Sequence, residues 1–242
     1  MKGTSQKEKQ QNENVNFESF KTTVLEDYKL ACLSREASLL GRKEVLTGKA
    51  KFGIFGDGKE LAQIALAKEF KNGDFRSGYY RDQTIMFAIK ELTVEQYFSG
   101  LYAHTDVEVE PQSAGRQMGG HYATRNLDQK GHWKNLMQQK NSSSDISPTA
   151  GQMPRLVGLA QASKVYRENE SLSALNNSKK FTNKGNEVAF GTIGDASTSE
   201  GPFWESINAA GVMQVPLVMS VWDDGFGISV PREFQTTKGS IS

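Results

Sequence analysis

The stretch VAFGTIGDASTSEGPFWESINAAGVMQVPLVMSVWDDGFGIS, residues 188–229, decides the fold. A short apolar run, Val188 to Ile193, ends at Gly194-Asp195-Ala196-Ser197-Thr198-Ser199. A helix follows, with Phe203, Ile207 and Ala210 facing inward. After Pro216 a second apolar run, Leu217 to Trp222, ends at Asp223-Asp224-Gly225-Phe226-Gly227. Strand, helix and strand at this spacing make a βαβ unit, whose crossover is right-handed and whose strands are parallel. Both polar clusters then lie at the carboxyl ends of neighbouring strands, where open α/β sheets bind their ligands.

That edge has a definite chemistry. Asp195 and Asp224 stand 29 positions apart, one at each strand end. Two hard oxygen donors so placed can share a Mg²⁺ ion, which prefers octahedral oxygen ligation completed by phosphate and water. The turn after Asp195 enters a helix whose first amides are unsatisfied, and such a start favours an anion such as a diphosphate. The competing reading makes Gly194-Asp195 an ordinary turn with Asp195 as helix cap. A non-catalytic Mg²⁺/phosphate-binding module is also compatible with the residues. An Asp-based phosphohydrolase would want a second carboxylate two positions after its nucleophile, where this chain has Ser197.

Outward from this unit, helical and polar segments alternate. Asn16 is a plausible cap for a packing helix with Phe17, Phe20, Val24 and Tyr28 on one face. Gly58 to Phe70 reads as a second helix with Leu61, Ile64, Ala65 and Lys68 along its stripe. Thr93-Val94-Glu95-Gln96 has the form of a capping box and opens a third helix through Tyr102. Met153 to about Arg167 is a fourth, marked by Leu156, Leu159, Ala160 and Ser163. Residues 168–186, polar and without proline, read as a surface insertion. The expectation is an α/β fold, a mostly parallel sheet flanked by helices. Residues 1–15 form a disordered polar tail, 16–45 an N-terminal helical segment, and 46–242 one α/β domain.

Composition narrows the function classes. The 242 residues carry 29 Lys and Arg against 28 Asp and Glu, a formal net charge of +1. No long-range field therefore calls for nucleic acid or an anionic membrane. No apolar run approaches the ~20 residues of a membrane helix, and the N-terminus has no apolar core of a secretory signal. The single cysteine, Cys32, excludes an internal disulfide and suits a reducing, cytoplasmic setting. His104 and His132 read as surface residues. Gly56-Asp57-Gly58 is a second Gly-Asp turn, but no Asn or Asp pair stands near Met86, where the rest of a metal motif would fall.

Residues Gly194 to Ser229 resemble the thiamine diphosphate motif of the α subunits of pyruvate and branched-chain 2-oxo acid dehydrogenases, which begins Gly-Asp-Gly and ends in Asn-Asn. Three further blocks are similar to the same subunits in the same order: Tyr79-Tyr80-Arg81-Asp82, Gly115-Arg116-Gln117-Met118 with His121, and Ser147-Pro148-Thr149-Ala150-Gly151-Gln152-Met153-Pro154. The resemblance covers roughly residues 45–242. It implies thiamine diphosphate and Mg²⁺ as cofactors, with Asp195 and Asp224 as side-chain metal ligands and Phe226 as a ligand through its carbonyl. It also implies diphosphate contacts from Ala196, Ser197, Tyr80 and Arg81. Ser147 and Thr149 are expected at the aminopyrimidine, and His121 near the cofactor as the candidate catalytic histidine.

The implied activity is oxidative decarboxylation of a 2-oxo acid with transfer of the acyl group to lipoyl. Its partners would be a β subunit or fused β region, a lipoyl acyltransferase component, and further copies in an oligomer. A transketolase-like or carboligase reaction is the runner-up. The family's chains continue beyond the point matched by Ser242, and its activating glutamate resembles a β-subunit residue. The expectation is therefore an incomplete cofactor domain, inactive by itself. Three departures bear on the site. Ala196 stands where the motif has Gly, which asks for a backbone without positive φ. Asp223-Asp224 replaces Asn-Asn, adding negative charge. Trp222 stands where some relatives carry a basic residue on the diphosphate. The loop Ile146–Gln152 resembles the family's potassium-binding loop, but Gly151 has no hydroxyl, and no potassium is assigned.

Overall fold

The computed structural model describes residues 16–117, 119–175 and 178–241. The tail expected at 1–15 lies outside the described residues. Four strands, β1 (Phe75–Ser77), β2 (Asn141–Ser142), β3 (Ala189–Gly194) and β4 (Leu217–Trp222), form a parallel sheet in the order β2-β1-β3-β4. Its helices are α1 (Phe17–Leu46), α2 (Glu60–Glu69), α3 (Gln83–Ala88), α4 (Val94–Leu101), α5 (Gln152–Glu168), α6 (Glu170–Ser173) and α7 (Gly201–Met213). A small antiparallel ribbon, β5 (Phe226–Gly227) with β6 (Val230–Pro231), follows β4.

The βαβ unit forms as its sequence requires. β3 and β4 run parallel in register from Ala189↔Leu217 to Gly194↔Trp222, with α7 as the crossover. Successive residues of a strand point to opposite faces, and β3 obeys this on both sides. Phe190 joins Phe70, Met86 and Trp222 in one cluster, while Ala189 and Ile193 join Met153, Leu156 and Phe203 in the other. Burial on both faces explains the unbroken apolar run of β3. Each fully buried large side chain of these clusters is worth roughly 1.5–3 kcal/mol. Gly191 leaves room for Leu156 of α5, whose methyl group sits where a Cβ would be.

Two helix faces differ from expectation. In α1, capped by Asn16 as expected, Phe17, Phe20, Val24 and Tyr28 are exposed. The face that packs is Ser34, Ala37, Ser38, Gly41 and Glu44. Small residues let α1 approach α3 closely enough for Gln83 Nε2 to donate to Ser38 Oγ at 2.7 Å. In α2 the inward face is Glu60, Gln63, Ile64 and Ala67, and Leu61 points to solvent. Polar contacts override the apolar stripe there: the Glu60 carboxylate accepts from Arg35 Nε at 2.6 Å, and Gln63 bonds the Arg81 carbonyl at 2.9 Å. The capping box at Thr93 forms as written. The segment 168–186 is only in part a surface excursion. Ser178, Thr182 and Gly185 are buried, and Arg167 donates to the Gly185 carbonyl, which anchors the return to β3.

β1 and β2 were not expected. β1 is three residues long and has Arg76 at its centre, wholly buried. The Arg76 guanidinium pairs with Asp82 at 2.7 Å and Asp145 at 2.9 Å, and donates to Ser142 Oγ at 2.7 Å and the Tyr79 carbonyl at 3.1 Å. The flanking carboxylates raise its pKa further despite burial. Removing one partner of such a cluster leaves a buried charge unmatched, so Arg76→Met should cost about 3–5 kcal/mol in urea unfolding. Burial pushes the Asp145 carboxyl up to about 6, against the pull of Arg76. That lies above the value near 3.9 of an unfolded aspartate, so its contribution is fully present below about pH 4 and is lost as the pH rises through 6. Asp145→Asn should therefore gain on the wild type between about pH 4 and pH 7. Unfolding midpoints that keep a constant difference across that window would contradict this.

Candidate functional site

The pairing of Gly194 with Trp222 stops β3 and β4 side by side, so the loops that follow them face each other. Between these loops lies a cleft of about 390 Å³, within the range of small-molecule sites. It is lined by Tyr80, Arg81, Thr149, Asp195, Ala196, Ser197, Asp224 and Phe226, which brings together eight of the positions singled out in the sequence. Ser147 and His121 are not among its walls. They bond each other, His121 Nε2 to Ser147 Oγ at 2.8 Å, beside a second hollow that Arg116, Gln117 and Asp145 also line.

Asp195 leaves β3 in a helical conformation, φ −55° and ψ −45°. An α-helix does not start there directly. A 3₁₀ turn, Ala196–Ser199, comes first, closed by Thr198 N–H and Oγ1 donating to the Asp195 carbonyl at 3.0 and 2.6 Å. Pro202 favours the first turn of α7, which begins at Gly201. The anion-facing amides expected from a helix start therefore belong to this tighter turn. Ala196 fits because the turn needs no positive φ at that position. Across the cleft Gly227 has to be a glycine, since a Cβ there would come within 2.6 Å of both Ala196 Cβ and Gln235 Nε2.

The electrostatics are those of a negative pocket that two cations, Lys59 and Arg81, also line. Asp195 is buried, and burial followed by the charges of Asp224 and Asp223 holds its carboxyl above the ordinary value. Burial also pushes Asp224 up, but the ammonium of Lys59 at 2.7 Å from its Oδ2, the Phe226 amide and Arg81 bring it below. Asp223 turns away to Arg232 at 2.8 Å. Arg81 lies over the ring of Tyr80, its Cζ 5.0 Å from the centroid. Tyr79 also lines the cleft, and its hydroxyl is buried without a hydrogen-bond partner among the described residues. Burial raises that hydroxyl far above its usual pKa, so it remains a proton donor.

Lys59, Tyr79, Glu200 and Gln235 were missed by the reading of the sequence. Lys59 follows a Gly-Asp-Gly turn, and nothing local to it signals a contact with a residue 165 positions away. Asp57 of that turn pairs with Arg42 at 2.6 Å and does not line the cleft. His104 and His132 are exposed, as is Cys32. Among the described residues no group of three or more His, Cys, Asp or Glu side chains is placed to hold a metal ion. Any ion at the cleft would therefore take two carboxylates and draw its other donors from backbone, water or a bound anion.

The family model "Dehydrogenase E1 component" matches residues 28–242. The chain is 29% identical over 198 residues to the 2-oxoisovalerate dehydrogenase subunit alpha of Bacillus subtilis (strain 168), covering 81% of this chain and 49% of that one. It is 26% identical over 225 residues to the pyruvate dehydrogenase E1 component subunit alpha of Acholeplasma laidlawii, covering 91% and 51%. With the mitochondrial 2-oxoisovalerate dehydrogenase subunit alpha of Homo sapiens it shares 23% over 215 residues, covering 89% and 40%. The chain thus spans about half, or less, of the length of these relatives.

The crowding of carboxylates at the cleft has a measurable consequence. Asp195→Asn removes the repulsion from Asp224 and Asp223, so in the presence of a chelator its melting temperature should rise by roughly 2–4 °C. The same variant should lose affinity for Mn²⁺ by at least about tenfold. A fall in melting temperature would show that the Asp195 charge is matched within the protein.

Proposed function

The chain belongs to the dehydrogenase E1 component family, and from that membership we propose that its cleft binds thiamine diphosphate and Mg²⁺ as part of a 2-oxo acid dehydrogenase. The observation that carries this reading is the convergence of Arg81, Asp195 and Asp224 in the segments that follow the carboxyl ends of three parallel strands, β1, β3 and β4. The residues suit the group in two further respects. The buried Tyr79 hydroxyl lacks an acceptor that a phosphate oxygen would provide, and Asp195 is held back from ionising by neighbours that a divalent cation would offset.

In this proposal Asp195 and Asp224, with the Phe226 carbonyl, hold the metal. Ala196 and Ser197 at the 3₁₀ turn receive the diphosphate together with Tyr80 and Arg81, whose guanidinium presents a planar set of donors to phosphate oxygens. Thr149 borders the aminopyrimidine, and His121, bonded to Ser147 outside the cleft walls, acts through that bond as a positioning residue. When bound, thiamine diphosphate supplies the carbon that adds to the 2-oxo group and the ring that accepts the electron pair released with CO₂. The protein fixes the phosphate end and excludes water from the wall formed by Trp222.

The reading extends to substrate and partners. The substrate class is a 2-oxo acid, and the acyl group passes to the lipoyl of an acyltransferase component. The cleft is open where Phe226 and Ile228 are exposed, so a β subunit, or a fused β region, is assigned to cover it. Without that cover the chain binds the cofactor weakly and turns over no 2-oxo acid. No described helix is long and apolar enough to cross a membrane, and the proposed setting is the cytoplasm.

Calorimetry with thiamine diphosphate, with and without Mg²⁺, tests the site. Binding should require Mg²⁺, weaken at least about tenfold in Asp195→Ala, and persist in Asp57→Ala. Loss of binding in Asp57→Ala with retention in Asp195→Ala would reassign the site to the other Gly-Asp turn.

A further inference from the structure

Lys59, the residue before α2, is bonded to a proposed metal ligand, Asp224. Its side chain is only 11% exposed although it ends in an ammonium, and its Nζ lies 2.7 Å from Asp224 Oδ2. It enters from the residue just before α2 and reaches the loop that leaves β4. The β4 side carries no cation at the site, since Trp222 occupies the strand end with its Nε1 bonded to Asp82 at 3.2 Å. Asp223, the other carboxylate of that loop, is matched by Arg232. The cations that line the cleft are thus Arg81 and Lys59, facing Asp195, Asp224 and the exposed Glu200.

A diphosphate brings more negative charge than Arg81 and one divalent ion neutralise once two carboxylates are counted. A further positive group is required, and it has to be able to leave Asp224 when a metal arrives. A lysine suits both demands: its flexible four-carbon stem carries three rotatable donors, whereas a guanidinium is a rigid fork. We propose that Lys59 is an exchangeable second cation of this cleft, holding Asp224 in the metal-free protein and turning to the diphosphate once a divalent ion takes that carboxylate. The inference rests on the diphosphate reading given above and adds a residue and an order of events to it. Lys59 then supplies a positive charge that Trp222 cannot.

The proposal makes two effects of opposite sign. Lys59→Met removes a competitor for Asp224, so the affinity for Mn²⁺ alone, followed by electron paramagnetic resonance, should rise at least about threefold. The same variant should bind inorganic pyrophosphate at saturating Mn²⁺ about tenfold more weakly, because one charge-assisted contact is gone. Lys59→Arg should retain part of the pyrophosphate affinity. Lys59→Gln carries the same expectations as Lys59→Met should the latter fail to fold. General damage to the site would lower both affinities together, and that result, or two unchanged affinities, would overturn the proposal. If the wild-type chain binds Mn²⁺ but not pyrophosphate, the diphosphate reading itself fails, which the variants alone would not show.

Discussion

The Asp82 carboxylate is the point on which this structure turns. Its Oδ2 receives the Arg76 guanidinium and the Thr192 hydroxyl, and its Oδ1 receives the Trp222 indole. Arg76 belongs to β1, Thr192 to β3 and Trp222 to β4, while Arg76 also reaches Ser142 of β2. One buried pair thus links all four strands of the sheet. The backbone bonds of a two- or three-residue strand are too few to define its place alone, so β1 and β2 depend on this cluster. Because Asp82 directly follows Tyr80 and Arg81, the interaction that fixes the sheet also fixes the wall of the cleft. A buried ion pair seldom adds net stability over an apolar replacement; its contribution here is to specify which strands meet and in what register.

The departures from the family motif are consistent with one another when seen from this cluster. Trp222, which stands where some relatives carry a basic residue, bonds Asp82 and joins the apolar cluster around Phe190. Lys59 lines the same cleft, its ammonium 2.7 Å from Asp224, and is the cation proposed to make up that charge. The extra carboxylate at position 223, where the motif has Asn, is drawn off by Arg232. Ala196 in place of Gly is accommodated by the 3₁₀ turn, and the space its methyl group takes is matched by Gly227 opposite.

What could be read in the sequence follows from the range of the interactions involved. The βαβ unit was legible because two apolar runs of strand length end in polar turns, and each signal is local. The Thr93 capping box was legible for the same reason. β1 was not, because an arginine at the centre of a three-residue strand is tolerable only through Asp82 and Asp145, and Asp145 lies 69 residues away. The packing face of α1 was misread because its large apolar residues have the right period, while close approach to α3 selects Ser34 and Ser38, and the Phe55 ring selects Gly41. At the cleft the strand-end residues were evident from spacing; Lys59 and Tyr79 became visible only in three dimensions.

The division of α1 has a kinetic consequence. Its second half is clamped by Ser34, Ser38 and Glu44, whereas Phe17, Phe20, Val24 and Tyr28 meet solvent. Short helical stretches without tertiary support are marginal in water, so the amides of the first turns exchange with solvent by local fraying. Those from Leu30 onward, where α1 packs against the core, α2 and α3, exchange more slowly. A single continuous helix therefore spans two regimes of protection, with the boundary near Asp27 and Leu30, where the ion pair to Lys68 and the packing on the core begin.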